Sequence, residues 1–295
     1  MLERFMRENR GQGIYEDYIA WHKVSRGDPA SSGRSHLLRF RGRLRDLLSD
    51  GEFKAQAFIL MLPDVEDVLE QFPLDHDASR HPACAYLFHA DQALYPGTVA
   101  VADQLNISHP LCKGKVTDRR APVSTVLWTM TTDFLVAMKG DKQPLKFLAV
   151  SIKPSVDSLK ERDLDLMRIE REYWSSRSID WLLITQDQYE KAVGLTLARS
   201  ACWALAPAAP KMHLDIAVRL ARESPSGSLC DLLESISDEL GSLESAQCAL
   251  WQSIWSGALL VRLSRGWRPH LPFQYTDEVE FWQQNPVAAG RSAWI

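Results

Sequence analysis

The chain has 295 residues, with 34 Lys and Arg against 38 Asp and Glu, so its formal charge of −4 excludes a polycation built to coat nucleic acid. Hydrophobic residues make up 45% and charged residues 24%, the balance of a globular protein able to close its own core. At about 100–200 residues per domain, two domains are expected.

The longest apolar run, Ala201–Pro210, has ten residues with two prolines, whereas a membrane span needs about 20. The opening residues lack an apolar stretch of the secretory type, so no signal peptide is expected. Cys84, Cys112, Cys202, Cys230 and Cys248 are an odd number without a CxxC pair, which argues against a disulfide framework and a Cys-rich zinc site. A reducing cytoplasm is the expected compartment.

Residues 1–45 read as mixed loop with a short arm, punctuated by Gly11, Gly13, Gly27 and Gly33. Between Trp21 and Arg45 lie seven cations (Lys23, Arg26, Arg34, Arg39, Arg41, Arg43, Arg45) and one acid, Asp28, giving +6. Such a stretch suits phosphate contact or is simply a solvated basic face. Phe53–Leu62 is predicted as a helix ended by Pro63, with Ser49 or Asp50 as N-cap and Glu52 in its first turn. Residues 64–74 read as a strand or bent segment that runs out at Pro73. The stretch 75–123 carries Pro82, Pro96, Gly97, Pro110, Gly114 and Pro122; it is too long for one loop and is expected to hide helices or a functional excursion.

The clearest pattern follows. Thr131–Met138 is a predicted strand, Lys139–Pro144 a turn cluster, and Leu145–Ile152 a second strand stopped by Pro154. Leu159–Arg177 is a charge-dense helix, read as solvated and laced with i,i+4 pairs, with Leu166, Ile169 and Tyr173 on one face. Asp180–Thr185 is a buried third strand, completing a small α/β sheet. Beyond residue 190, three helices are predicted at His213–Arg222, Ser228–Leu240 and Ser242–Trp255. A hairpin of Ala258–Leu263 and Trp267–Phe273, turning at Ser264-Arg265-Gly266, would complete a winged helix-turn-helix outline.

Within the first hairpin, Asp133 sits early in one strand and Lys153 at the end of the next, hence at the same end of an antiparallel pair. Alternation puts Ser151 and Lys153 on one face and leaves the Ile152 carbonyl available as a ligand. Magnesium takes carboxylate, carbonyl and water oxygens, and phosphodiester hydrolysis wants a nearby cation. Glu52 can supply a second carboxylate. That set is the one used by metal-dependent nucleases, although an Asp and a Lys in neighbouring strands also arise by chance. His81-Pro82 and His109-Pro110 have no second ligand at metal spacing and read as structural. Arg10-Gly-Gln-Gly13 is too short for a phosphate loop, and Ser124, Ser151 and Ser155 lack a G-x-S-x-G frame.

Several blocks in fixed order resemble the TnsA family, the endonuclease subunits of heteromeric cut-and-paste transposases. They are Arg10-Gly-Gln-Gly13 with Asp17-Tyr-Ile19 and Trp21, Ser31-Ser-Gly-Arg-Ser-His36, Leu47-Leu-Ser-Asp50 with Glu52, and Glu70-Gln-Phe-Pro-Leu74. Then come His109-Pro110, Thr132-Asp-Phe-Leu-Val136, Lys153-Pro154, Glu172-Tyr-Trp174 and Trp181. The resemblance implies a restriction-endonuclease-like α/β catalytic domain over residues 1–188, basic arm included; the helices and hairpin read above make 189–295 a mostly α, winged-helix-like domain. It maps the catalytic trio onto Glu52, Asp133 and Lys153. Glu52, Asp133 and the Ile152 carbonyl then hold Mg²⁺, as one ion or two, and Lys153 orients or activates water. The family usually has Gln where this chain has Ser151. Lys23, Arg26, Arg34 and His36 are the candidate DNA contacts. The resemblance also implies 5′-strand cleavage at transposon ends, a TnsB-type transposase cutting the 3′ strands, and a TnsC-type ATPase.

The C-terminal region carries its own signal. The third predicted helix has no Lys or Arg, and Lys211–Tyr275 holds six basic against seven acidic residues, or −1. A base-reading helix needs Arg, Lys, Asn or Gln in the groove, so a partner-docking module fits better. Only Arg262, Arg265 and Arg268 could hold a phosphate there. Trp251 and Trp255 form one stripe and Leu250 and Ile254 another; one packs inward and the other is core or an exposed anchor. Two other classes share these features: a stand-alone restriction-type endonuclease, and a non-catalytic DNA-binding or adaptor protein. A neighbouring integrase-like transposase gene favours the transposase subunit; a neighbouring methyltransferase gene favours the restriction enzyme.

Overall fold

The computed structural model describes residues 2–28, 33–87, 90, 92–113, 125–140 and 144–294. Ser31, Ser32, Gly114, Pro122 and Ser124, named above, lie outside them. The chain divides into two compact units. The first comprises Met1–Leu48, Glu66–Ser151 and Ser155–Leu182; the second comprises Ser49–Val65, Ile152–Pro154 and Leu183–Ile295.

The first unit opens with helix α1 (Leu2–Arg7) and a hairpin of β1 (His36–Phe40) and β2 (Arg43–Leu47). This hairpin replaces the mixed loop expected before residue 45. Gly42, at φ 82°, permits its tight turn. Helix α2 (Asp50–Leu60) belongs to the second unit. Strand β3 (Val65–Pro73) matches the predicted 64–74 segment and ends at its proline. The irregular 75–113 region resolves into short pieces: β4 (Ser79–Arg80) paired with β5 (Leu94–Tyr95), helix α3 (Thr98–Gln104), and β6 (Leu111–Lys113) paired with β7 (Thr125–Leu127). It therefore does hide a helix.

Strands β8 (Thr131–Lys139) and β9 (Leu145–Ile152), helix α4 (Glu161–Ser175) and β10 (Asp180–Ile184) fall where alternation and the prolines place them. The main sheet has the order β10-β9-β8-β3. Its β8–β9 ladder is antiparallel, from Lys139↔Leu145 to Phe134↔Val150. Leu135, Ala137, Phe147 and Ala149 pack with Ile169, Tyr173 and Trp174 of α4 and with Tyr18, Leu69 and Val101 in one core. Helix α4 is thus less solvated than its charge suggests: it buries Met167, Ile169, Glu170, Tyr173 and Trp174.

The second unit is helical. Besides α2, its helices are α5 (Lys191–Ala204), α6 (Lys211–Glu223), α7 (Leu229–Leu240), α8 (Leu243–Trp255) and α9 (Glu278–Gln283). Sequence reading missed α5, whose Gly, Ala and Ser content weakens its apolar stripe. Helix α7 starts on a capping box between Ser228 and Asp231 and stops at Gly241, φ 75°. Helix α8 packs against α5, α6 and α7. Trp251, Trp255, Leu250 and Ile254 are all buried, so both Trp are core and neither is an exposed anchor. The hairpin expected at 258–273 does not form. Only isolated bridges occur there, Val261↔Tyr275 and Ser228↔Pro272, around a 3-10 turn at Leu263–Arg265. The reason is aromatic: Trp267 stacks between Trp203 and Trp251, centroids 6.1 and 5.5 Å away, which draws the segment onto α5 and α8.

Candidate active site

In the first unit, the β8–β9 ladder closes at Phe134↔Val150, and the next residues on the two strands are Asp133 and Ser151. Asp133 is half-buried, whereas Phe134–Ala137 beyond it are fully buried. Its Oδ1 accepts a hydrogen bond from Gln71 Nε2 on β3 at 3.4 Å. Gln71 is 3% exposed and takes a left-handed backbone, φ 51°, near the end of an extended strand. Its carbonyl accepts the Trp21 N–H at 3.3 Å. Beside them, His22 is buried and stacks on Trp128 at 5.9 Å. Burial pushes the His22 pKa down, against the opposing charges of Asp28 and Asp133.

Ser151 and Thr132 turn to a different task. Both donate to Glu170 Oε1 on α4, Thr132 at 2.7 Å. Trp181 Nε1 donates to Ser151 Oγ (3.1 Å) and to the same carboxylate oxygen (3.2 Å), and Trp174 Nε1 donates to Thr132 Oγ1 at 2.7 Å. Glu170 is thus a buried anchor for the two residues that flank the site from β8 and β9. A charged helix position gave no hint of this in the sequence. The Ser151 hydroxyl is committed to this network.

The second unit holds Glu52, Ile152 and Lys153. The sequence Ser-Asp-Gly-Glu folds as a helix start: Ser49 is the N-cap, its Oγ accepting the Glu52 N–H at 3.1 Å. Its hydroxyl also lies 3.3 Å from Glu52 Oε1. The N-terminal end of α2 is the favourable place for a buried carboxylate. A Cβ on Gly51 would meet Ile152 Cγ2 at 3.0 Å, so the first turn of α2 lies directly against the end of β9. The Lys153 N–H is fixed on the Ile184 carbonyl at 3.1 Å. One turn after Glu52, Gln56 is fully buried, with both amide atoms lacking a hydrogen-bond partner among the described residues. An unsatisfied buried amide costs about 1–3 kcal/mol.

The basic stretch divides. Lys23 is half-buried with its N–H on Asp28, Arg26 and Arg34 are exposed, and His36 is half-buried at the start of β1. Arg39 and Arg41 also face outward. Arg43 and Arg45 do not offer themselves to phosphate: both are buried on Glu70. Arg43 makes a two-pronged contact with the carboxylate, Nη2 to Oε2 at 2.6 Å, and also donates to the Tyr15 and Val68 carbonyls. Burial alone would lower the Arg43 pKa, but Glu70 outweighs it and raises it; for Arg45 burial wins. Asp28, the one acid of the stretch, receives Arg4, Arg10 and the Lys23 N–H. Burial works to raise its pKa, and these donors hold it below the usual carboxylate range.

His109 is hydrogen-bonded to Thr98 Oγ1 (3.0 Å) and the Pro110 carbonyl (3.1 Å), and His81 caps a 3-10 turn through Ala83. Both serve local structure. In the second unit, Arg262 pairs with Glu280 at 2.9 Å and Arg265 donates to the Arg268 and Leu271 carbonyls.

Among the described residues no three His, Cys, Asp or Glu side chains converge as a metal cluster. The carboxylates of Glu52 and Asp133 and the Ile152 carbonyl are each hard oxygen donors, the class that Mg²⁺ takes. No helix among the described residues is long and apolar enough to cross a membrane.

Residues 63–186 match the family described as TnsA-like endonuclease N terminal. Over 194 residues the chain is 31% identical to the Transposon Tn7 transposition protein TnsA of Escherichia coli. That similarity covers 65% of this chain and 59% of the relative, so the chain spans about three fifths of the relative's length.

Proposed function

From its membership of the TnsA family, we propose that this chain is the metal-dependent endonuclease subunit of a transposase, cleaving the 5′ strands at the ends of its element. The observation that carries this reading is Asp133: a half-buried carboxylate just before the buried run Phe134–Ala137 of β8, inside the segment that matches a TnsA-like endonuclease. Residues 1–188 act as a restriction-endonuclease-like catalytic domain with its basic arm. Residues 189–295 act as a partner-docking module that keeps the three helices of a winged-helix-like outline, α6 to α8, without a two-stranded wing.

Glu52, Asp133 and the Ile152 carbonyl hold Mg²⁺. When bound, the ion supplies positive charge against the scissile phosphate and acidifies water. Lys153 places its ammonium beside the attacking water, and Lys23, Arg26, Arg34 and His36 seat the DNA backbone. A TnsB-type transposase and a TnsC-type ATPase are the partners, in the cytoplasm.

The test is to map cuts, strand by strand, on a transposon-end DNA with and without the partner transposase. Mg²⁺-dependent 5′-strand cuts at the element boundary are expected. Cuts at internal recognition sites without the partner would favour a stand-alone restriction enzyme, and no cuts at all an adaptor.

The DNA-seating residues have a separate signature. Each phosphate contact removed flattens the salt dependence of association by about one unit of slope. Lys23→Ala with Arg34→Ala is therefore expected to weaken DNA binding by about two units of slope with sequence preference unchanged. An unchanged slope would return the segment to a solvated face.

A further inference from the structure

We propose that Gln71 is a positioning residue, holding the Asp133 carboxylate in the orientation that receives a divalent cation. This rests on the nuclease reading and adds to it a residue that neither spacing nor composition marks.

Three observations carry it. The Gln71 amide lies on Asp133 Oδ1, reaching from β3 to its neighbour β8 in the sheet. The side chain is 3% exposed, so its position is set by packing and not by solvent. Its backbone sits at φ 51°, a region that costs a non-glycine residue about 1–2 kcal/mol. Glycine would sit there without penalty, so the chain sustains strain to keep a glutamine at this point. Strain of that kind persists where the surroundings over-determine the residue, as the Trp21 N–H on the Gln71 carbonyl does here.

The chemistry explains the residue type. A carboxylate that is to ligate a hard cation needs one oxygen oriented and its charge intact. An amide N–H orients by hydrogen bonding and adds no charge of its own; Lys or Arg at the same point would compete with the cation. At 3.4 Å the bond is a long one that orients Oδ1 without adding charge.

Loss of such an outer-shell partner costs about 10–100-fold in metal affinity. The test measures Mn²⁺ binding to the full chain directly, by the loss of the free-ion paramagnetic resonance signal, alongside Mg²⁺ dependence of DNA cleavage. Gln71→Leu removes the amide at similar volume. Gln71→Gly removes it and relieves the backbone, which offsets part of the packing lost with the side chain. Both are expected to bind Mn²⁺ about tenfold or more weakly than wild type. Gln71→Gly relieves the left-handed backbone but loses buried packing, so its thermal midpoint is expected to fall by far less than its Mn²⁺ affinity, a split that a purely structural role would not give. On an Asp133→Ala background neither change should weaken Mn²⁺ binding further.

Wild-type Mn²⁺ affinity in a folded Gln71→Gly chain that still cuts DNA would overturn this inference alone. A wild-type chain that neither binds Mn²⁺ nor cuts DNA would overturn the nuclease reading and the inference with it.

Discussion

Asp133→Ala is expected to cut 5′ strands at least about 10³-fold more slowly than wild type in Mg²⁺, the scale on which a single transition-state charge contact acts. Glu52→Ala should fall by a similar factor. The fold should tolerate the first change: Asp133 is half-buried at a ladder end, and its hydrogen bond from the neutral Gln71 amide is a long one. Circular dichroism and the thermal midpoint should therefore stay near wild type while cleavage disappears. Strand-resolved product analysis on transposon-end DNA gives the readout. Near wild-type cutting by both variants would remove Asp133 and Glu52 from the site.

The largest stability effect is expected at Glu70. Its carboxylate is fully buried and carries two buried guanidiniums, Arg43 and Arg45. Glu70→Gln keeps the shape and leaves two cations without their anion. Breaking a buried pair in this way costs about 3–5 kcal/mol, a large share of the stability of an ordinary domain. Arg45→Met should be milder, because burial already disfavours the charge on Arg45 and its Nε has no partner among the described residues. Urea denaturation of the three proteins ranks them. A Glu70→Gln midpoint close to wild type would show that the guanidiniums find other acceptors, with the Val68 carbonyl the first to look at.

The same triad explains what the sequence could and could not say. Strands β8, β9 and β10 were legible because each is a dense run of Val, Ile, Leu and Phe, with Pro144 and Pro154 flanking β9. Helix α2 announced itself through an N-cap candidate at Ser49 or Asp50 with Glu52 in the first turn, and the structure selects Ser49. The β1–β2 hairpin was not legible, because its inward positions carry Arg43 and Arg45, and a guanidinium reads as surface until a buried Glu70 twenty-odd residues away is known to meet it. The 258–273 hairpin failed for the opposite reason. Its β-forming residues were real, but pairing lost to the stacking of Trp267, which no local pattern encodes.

The site divides along the same line. Glu52, Asp133 and Lys153 could be named as candidates from residue type and position in a regular element alone. Gln71 and Glu170 could not. One sits at a left-handed break within a strand, and the other sits on the inward side of a helix whose charge suggests water. Both roles come from contacts between distant elements.

The stack of Trp203, Trp267 and Trp251 also gives the second unit an optical signature. Indole transition dipoles at centroid separations of 6.1 and 5.5 Å, with ring planes 8° and 20° apart, lie close enough to couple. The near-ultraviolet dichroism of the chain therefore carries a component that belongs to the segment around Trp267 and vanishes when that ring swings out. The sheet in the first unit adds no equivalent stack of three indoles among the described residues. A ligand or partner that lifts this segment from α5 and α8 can thus be followed in solution without any attached label.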